Sequence, residues 1–483
     1  MIKRNKIEVS KNNLFIAILF FILVFSLKFS ILNTPYHWDA NEQIAVAEWL
    51  RDNNFNPLSL RDFWFYEGHP LFFFEILALF FDLFGESLFV SHLVIVIFAF
   101  IAVYFTYFLG KHIYDEKVGF MAALLLFFCP IFFAQSGIIV HSVPLTALTV
   151  ITIYFMIKKN VKAYLISGII CTMTLEPAVL LFLLIPIYIF YENYASSKVK
   201  LIKKILIYSI PLLVFAAWML SNKLIFGWYI NPEFPEWSEI YKIDVPSFSK
   251  NLYLRINEIF IYDYRWILTS ILIIYSIKLF KKKELKSKKE SIFLFLIIIS
   301  YLIAFSFFKG GFLLRYALMV YPFFFILVSN SMHKVFKNKL ILNVFVLIML
   351  ILFISKWTGN RILNCGCYLE ENLEYLDLIE THYKAVKYIE INFPKSTVLT
   401  NWPQHMELDV PEYGYVNKEI KFVAPSDPDL NEKISEVDLV YYSPQSDDSS
   451  RWELENIMSD LNLTLLKRFE KNGKYTEVYR IDH

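Results

Sequence analysis

Apolar residues in this chain come in uninterrupted blocks, and that limits what it can fold into. The first block runs from Leu14 to Ile31, and others of similar length recur up to residue 356. A helix needs about 20 apolar residues to cross the ~30 Å hydrocarbon layer of a bilayer. A soluble domain would bury one face and leave a period of 3.6 or 2 in the pattern. With 57% hydrophobic and 18% aromatic residues over 483 positions, the chain reads as a polytopic α-helical membrane protein. We place spans at about 14–31, 88–109, 118–135, 138–157, 163–175, 177–191, 205–225, 265–280, 292–308, 314–331 and 340–356, roughly eleven helices. The first follows a basic N-terminus. It is too long for a signal-peptide core and lacks a small-x-small cleavage site, so it reads as an anchor.

The segment Pro70 to Phe84 is apolar but only about 22 Å long as a helix, short of a span. Glu75 and Asp82 are seven residues apart and share one helical face, which fits a helix lying along the interface. Loop charge supports this. If 70–84 does not cross and the N-terminus with Lys3, Arg4, Lys6 and Lys11 is cytoplasmic, the basic loops Lys158-Lys159, Lys198 to Lys204, Lys281 to Lys289 and Lys334 to Lys339 all fall inside. Residues 33–87 then form one long external loop with surface helices at about 38–53 and 69–84. After residue 356 the chain turns polar. It reads as a helix at about 372–392, strands at 397–402 and 437–443, a helix at 451–460, and a hairpin of Leu463–Glu470 with Tyr475–Ile481 around Asn472-Gly473. An odd number of spans puts this α/β domain outside the cytoplasm. The expected division is therefore a membrane domain, 1–356, and an extracytoplasmic α/β domain, 357–483.

The net charge of +2 is spread over loops and no nucleic-acid motif is present, so no nucleic-acid partner is expected. Of the four cysteines, Cys129 and Cys171 fall inside spans, and Cys365 and Cys367 are too close for an unstrained mutual disulfide. No Cys/His set has metal-ligand spacing, so no metal ligands are assigned.

The candidate chemistry lies in the long external loop. Asp39 and Glu42 are three apart, on one face of the first surface helix, with His37 and Trp38 just before them. Acidic groups held against a membrane are costly without a task or a partner. Asp39, with Glu42 beside it, is the candidate catalytic group, a base for an acceptor hydroxyl. His37, Trp38 and Glu67 are candidate substrate-binding residues. His69 precedes Pro70 at a helix start and is a candidate for the donor phosphate. Arg315, after Lys309-Gly310-Gly311 at the outer start of a span, joins Lys309 and His69 as a candidate phosphate site. Glu176-Pro177 and His141 lie in short external turns, where a helix break and packing are the simpler readings. Lys28 and Lys223, near outer span ends, read as snorkelling side chains.

Together these features resemble the GT-C membrane glycosyltransferases, in the dolichyl-phosphate-mannose protein mannosyltransferase-like group that includes the lipid A aminoarabinose transferases. The resemblance rests on Trp38-Asp39 after the first span, the Pro-started surface helix ending in Leu83-Phe84-Gly85, and Arg315-Tyr316 at a span start. It covers mainly the first 190 residues. The resemblance implies a polyprenyl (dolichyl) phosphate sugar donor, transfer on the outer face of the membrane, and Asp39 as the base. It leaves a divalent metal open as a cofactor. The sequence departs from the group at Ala40, where a second acid is common, at Val143 before Pro144, where an Asp is common, and at Glu176, where a Lys is common. The expected activity is transfer of a hexosyl or mannosyl group, with inversion, to a hydroxyl acceptor on protein, glycan or lipid. The rival readings are a multi-spanning transporter and a non-catalytic envelope assembly protein. Asp39 and Arg315 must share one cavity for the enzyme reading to stand.

Overall fold

In the computed structural model, residues 11–63, 66–194, 197–229, 242–281, 289–308, 314–358, 370–427, 430–445 and 448–482 are described. The expected Cys365 and Cys367 lie outside them. A helix stands at each of the expected spans. The first, α1, is Lys11–Lys28, extended by a 3-10 turn to Ile31. Two surface helices follow, α2 (Asp39–Asp52) and α3 (Phe72–Phe84), and then α4 (Leu88–Ile113). Among the described residues, four helices are long and apolar enough to cross a membrane: 12–31, 88–113, 289–306 and 314–335. Two bent helix pairs, 198–225 and 248–281, add up to two more. The expected spans 138–157, 163–175, 177–191 and 340–356 are helices of 12 to 16 residues, and 118–135 is broken at Cys129 into Glu116–Phe128 and Pro130–Gln135, because Pro130 cannot continue the first helix.

The sequence reading misses two helical segments. Lys198 to Lys204, expected as a basic loop, is the first part of a Lys198–Tyr208 helix that bends by 48° into Ile210–Ile225. Its lysines lie on a helix too charged to read as a span, which hid it. Phe248–Ile256 continues through a π turn and meets Arg265–Lys281 at 91°. At that elbow Arg265 is fully buried and bonds Asp263 at 3.0 Å and the Ile259 carbonyl at 3.1 Å, so the bend is held by a satisfied cation. Lys28 is 1% exposed and does not snorkel; it donates to the Phe133 carbonyl and lies over the Phe133 ring.

Helix α3 buries Phe73, Phe74, Leu77, Ala78 and Phe81, the i, i+4 stripe of an amphipathic helix, and leaves Glu75 and Asp82 exposed. It packs against α2 and α4, which fixes the loop that carries the candidate residues.

The C-terminal residues form a five-stranded sheet of order β2-β1-β3-β5-β4. The strands are β1 (Val398–Leu399), β2 (Phe422–Val423), β3 (Leu439–Tyr442), β4 (Leu463–Lys471) and β5 (Lys474–Ile481). β1 runs parallel to β2 and β3, and β5 is antiparallel to β3 and β4. Alternation along β3 splits the core. Leu439 and Tyr441 pack with the Glu374–Asn392 helix, and Val440 packs with Leu454 of the Asp448–Ser459 helix on the other face. Asn472 and Gly473 both have positive φ, 48° and 78°, as the expected hairpin turn requires. The two-residue β2 carries too little pattern to be read from sequence. Inside this unit, His382 hydrogen-bonds Glu407 at 2.8 Å and Ser443 at 3.0 Å. All three are buried, so this row is core structure.

This domain sits on the long loop. Tyr413 Oη donates to the Asn41 carbonyl at 3.2 Å and Tyr415 Oη to the Tyr36 carbonyl at 2.8 Å. The Tyr413-Gly414-Tyr415 segment is therefore a clamp that pins the start of α2. Farther along α2, burial first, and then the hydrogen bond and charge of Glu86, push the Glu48 carboxyl up to about 9. Arg51 bonds Glu86 at 2.6 Å. A carboxyl that keeps its proton in the fold and gives it up in the unfolded chain weakens the fold as pH rises from its ordinary 4.5 towards 9. We expect the unfolding temperature of the wild type to fall more steeply between pH 5 and pH 9 (about this window) than that of Glu48→Gln. Parallel curves in detergent-solubilised protein would count against a proton held at Glu48.

Candidate active site

A cavity of about 400 Å³ opens where α2, the loop before α3, the turn at Glu176-Pro177 and the start of the Leu314–Val335 segment meet. Its polar wall includes Asp39, Gln43, Glu67, His69, His141, Glu176, Arg315 and Tyr316. Leu180, Phe215, Met219, Phe305 and Phe308 make up an apolar wall.

Asp39 and Arg315, 276 residues apart, are in direct contact, with the Arg315 guanidinium donating to Asp39 Oδ2. A second guanidinium nitrogen donates to Glu370 Oε2. Arg315 is 5% exposed and Glu370 4%, so this is a buried cation between two acids. Burial pushes the Glu370 carboxyl up, against the opposing pull of Arg315. Gln135 fixes the Glu370 backbone, donating to its carbonyl at 3.0 Å. Asp39 opens α2 right after Trp38, which takes φ +47°, a conformation that costs a non-glycine residue about 1–3 kcal/mol.

The second polar group is a row of three. His69 Nδ1 lies 3.0 Å from Glu176 Oε1, and His69 Nε2 lies 3.1 Å from Glu67 Oε2. Burial alone would lower the imidazole's proton affinity. Glu176 and Glu67 outweigh it and hold the His69 pKa well above 6.5, so the ring stays protonated through neutral pH. Gly68, between two members of the row, has φ +100°, and a Cβ there would come within 2.6 Å of the Trp228 ring. Only glycine fits.

The sequence candidates divide as follows. Asp39, Glu67, His69 and Arg315 come together on the cavity. Glu42 does not line it; Gln43, one residue on, does, because the turn of α2 carries residues 39 and 43 to the same side. His37 and Trp38 also lie off the cavity. Their rings stack at 5.2 Å, and His37 lies 5.7 Å from Tyr375, under the C-terminal domain. Burial, then the charges of His382 and Arg315, push His37 well below its ordinary value, so it is a neutral packing residue. Lys309 lies outside the described residues. Sequence reasoning missed Glu370, whose only local signal is a pair of acids before a helix. It also undervalued Glu176, which looks like helix punctuation until His69 is seen against it. Among the described residues, no group of three or more His, Cys, Asp and Glu side chains is placed to hold a metal ion.

Residues 68–221 match the dolichyl-phosphate-mannose-protein mannosyltransferase family. The fold aligns with ArnT from Cupriavidus metallidurans bound to undecaprenyl phosphate, at 11% identity and TM-score 0.57, over 98% of each chain. The chain has the GT-C fold. The Archaeoglobus fulgidus oligosaccharyltransferase, solved with Zn and sulfate, shares this GT-C architecture at 12% identity and TM-score 0.55, over 96% of this chain and 72% of that one. Archaeal AglB from the same organism, in complex with an inhibitory peptide and a dolichol-phosphate, aligns at 10% identity and TM-score 0.53, over 97% and 74%. No curated protein sequence matches the chain.

Removing one partner of a buried ion pair costs about 3–5 kcal/mol, because the other charge is left unpaired. Arg315→Met should therefore lower the unfolding temperature markedly, and Arg315→Met with Glu370→Met should recover part of the loss. Thermal unfolding followed by tryptophan fluorescence tests this; a single variant as stable as wild type would show that the cation is not buried between these acids.

Proposed function

We propose that this protein is a glycosyltransferase that moves a sugar from a polyprenyl phosphate carrier to a hydroxyl acceptor on the outer face of the membrane, with inversion. The observation that carries this reading is one cavity that holds a carboxylate and a guanidinium in contact beside an apolar wall. The apolar wall suits a polyprenyl chain, and Arg315 suits its phosphate. When the donor phosphate takes up the Arg315 guanidinium, Asp39 is released from its ion pair and becomes available as a base. The acceptor hydroxyl then gives its proton to Asp39 as its oxygen bonds to the anomeric carbon. The bond from that carbon to the phosphate oxygen breaks, and the phosphate leaves with the electron pair, stabilised by Arg315. Glu370 holds the guanidinium while Asp39 lets go.

The distribution of basic residues supports an N-terminus on the cytoplasmic side and a C-terminal α/β domain outside. Tyr413 and Tyr415 then place that domain over the start of α2, where it can bound the acceptor's approach. The acceptor is a protein, a glycan or a lipid. A hexosyl or mannosyl group is the proposed cargo. Glu42 has no part in this scheme, and no step passes through a metal.

The test is transfer by purified protein in lipid extract carrying labelled polyprenyl-phosphate sugars. Wild type should label a new product. Asp39→Asn should lose about 10²–10⁴-fold of the rate, the usual contribution of a positioned base, while still binding polyprenyl phosphate. Equal transfer by both proteins would remove Asp39 as the base; no transfer by folded wild type would favour a transporter or assembly role.

A further inference from the structure

The transfer scheme draws on one end of the membrane domain only. A second cavity, of about 510 Å³, lies at the other end. The Lys289–Ser306 helix and the Leu314–Val335 segment reach from one cavity to the other. Phe305, Arg315 and Tyr316 line the candidate active site, whereas Phe295, Leu327 and Asn330 line the second cavity. From Arg315 to Asn330 the chain rises about 20 Å at ~1.5 Å per residue, so the two cavities are separate. The Arg265–Lys281 helix adds Leu272, Ile277 and Phe280 to the wall. The volume falls within the about 300–1,000 Å³ typical of small-ligand sites.

The wall is mainly apolar, and one of its few polar groups is unsatisfied. Asn330 is 7% exposed, and its amide oxygen has no hydrogen-bond partner. Such an atom inside a membrane domain is costly unless something supplies a donor. The hydroxyls on the same wall are engaged elsewhere. Tyr114 and Ser291 bond each other at 2.6 Å, and Ser331 donates to the Leu327 carbonyl at 2.8 Å. Ile277 and Phe280 are 50% and 74% exposed, so the cavity reaches the apolar outer surface of the bundle, where a bilayer places acyl chains. Lys281, next to Phe280, is the one charged residue among those that line it. The charge of Glu290 reaches Tyr114, but Glu290 is not on the wall. Lys278, Lys289 and Lys334 stand at the same helix ends, which makes this end of the bundle basic.

We propose that this cavity is a phospholipid site, at the end of the membrane domain away from the candidate active site, and that it takes an anionic lipid whose headgroup carries a hydroxyl. An acyl chain lies along Ile277, Phe280 and Phe295, the phosphate meets Lys281, and the headgroup hydroxyl meets the Asn330 amide. A hydroxyl both donates and accepts, so it satisfies either end of that amide. A choline headgroup has no N–H or O–H to offer and leaves the amide oxygen unpaired. Basic pockets between transmembrane helices are where anionic headgroups bind, because the phosphate gains a cation while its chains stay in hydrocarbon.

The experiment uses full-length protein in detergent and counts bound lipid by native mass spectrometry. Three lipids with the same acyl chains serve as probes: phosphatidylglycerol, phosphatidylmethanol and phosphatidylcholine. The first two carry the same charge, and only the first has headgroup hydroxyls; the third has neither net charge nor donor. Wild type should bind phosphatidylglycerol about fivefold more tightly than phosphatidylmethanol, as one hydrogen bond gives. It should bind phosphatidylmethanol about fivefold more tightly than phosphatidylcholine, as one lysine beside a phosphate gives. Asn330→Leu should bring phosphatidylglycerol down to the level of phosphatidylmethanol and leave phosphatidylmethanol binding as in wild type, which also shows that the variant is folded. Lys281→Gln should bring phosphatidylmethanol down to the level of phosphatidylcholine. Equal binding of the two anionic lipids by wild type overturns the assignment and leaves the Asn330 amide to water. So does an anionic preference that survives Lys281→Gln, because the lipid is then held elsewhere. The wild-type comparison needs no variant, so the proposal stays exposed to failure even where Asn330→Leu does not fold.

Discussion

The architecture around the cavity depends on one buried cation. Arg315 begins a span, Asp39 begins a surface helix and Glu370 belongs to the polar C-terminal part, and the guanidinium is bonded to both acids. A guanidinium taken out of water is costly unless anions surround it with good geometry. Here the two anions come from distant parts of the chain, which the Tyr413 and Tyr415 hydrogen bonds to the start of α2 also hold together. The ion triad therefore ties membrane domain, loop and C-terminal domain together at the place where the cavity opens. Gln135 adds a fourth segment through the Glu370 carbonyl, and Trp357, stacked on Phe133 at 3.6 Å, a fifth contact beside it. Hydrogen bonds make this junction directional.

The parts of the fold that were legible in the sequence share one property: a local signal. Runs of apolar residues mark the apolar helices, the Phe73–Phe81 stripe marks the amphipathic helix α3, and Asn472-Gly473 marks the hairpin. The parts that were not legible depend on distant partners or on mixed signals. The Lys198–Tyr208 helix hides behind its lysines. The elbow at Arg265 becomes reasonable only once Asp263 and the carbonyls of Glu258 and Ile259 are seen around it. At the site, Asp39 and Arg315 were readable because an acid and a cation at a membrane edge both need explanation. Glu370 was not, since it sits in a polar stretch where an acid is unremarkable and its partner is 55 residues away. Glu42 misled because spacing alone puts it on the same helix face as Asp39. The tertiary placement of α2 turns position 43, not 42, towards the cavity.

The two charged groups of the cavity differ in a way that bears on the proposed chemistry. His69 has an acid on each side at ordinary hydrogen-bond lengths, and the two carboxylates hold its pKa well above the ordinary imidazole value. The Arg315 group is not balanced in the same sense, because burial raises the Glu370 carboxyl in spite of the neighbouring guanidinium. In the proposed transfer the row suits recognition, and the Arg315 group, whose cation is shared between two acids, suits the reacting centre.

In the proposed transfer, this difference also keeps the empty site from reacting wastefully. With no donor bound, the Asp39 carboxylate is committed to Arg315. A phosphate brings negative charge to the same guanidinium and competes directly with Asp39. Glu370 is what makes the exchange possible. Without it, releasing Asp39 would leave a buried guanidinium to be satisfied by the incoming phosphate alone, and the empty site would hold its base too tightly to give it up. With it, the cation always keeps one protein anion, and its second place passes between Asp39 and the donor. In the proposed transfer, the arrival of the substrate is therefore the event that frees the base.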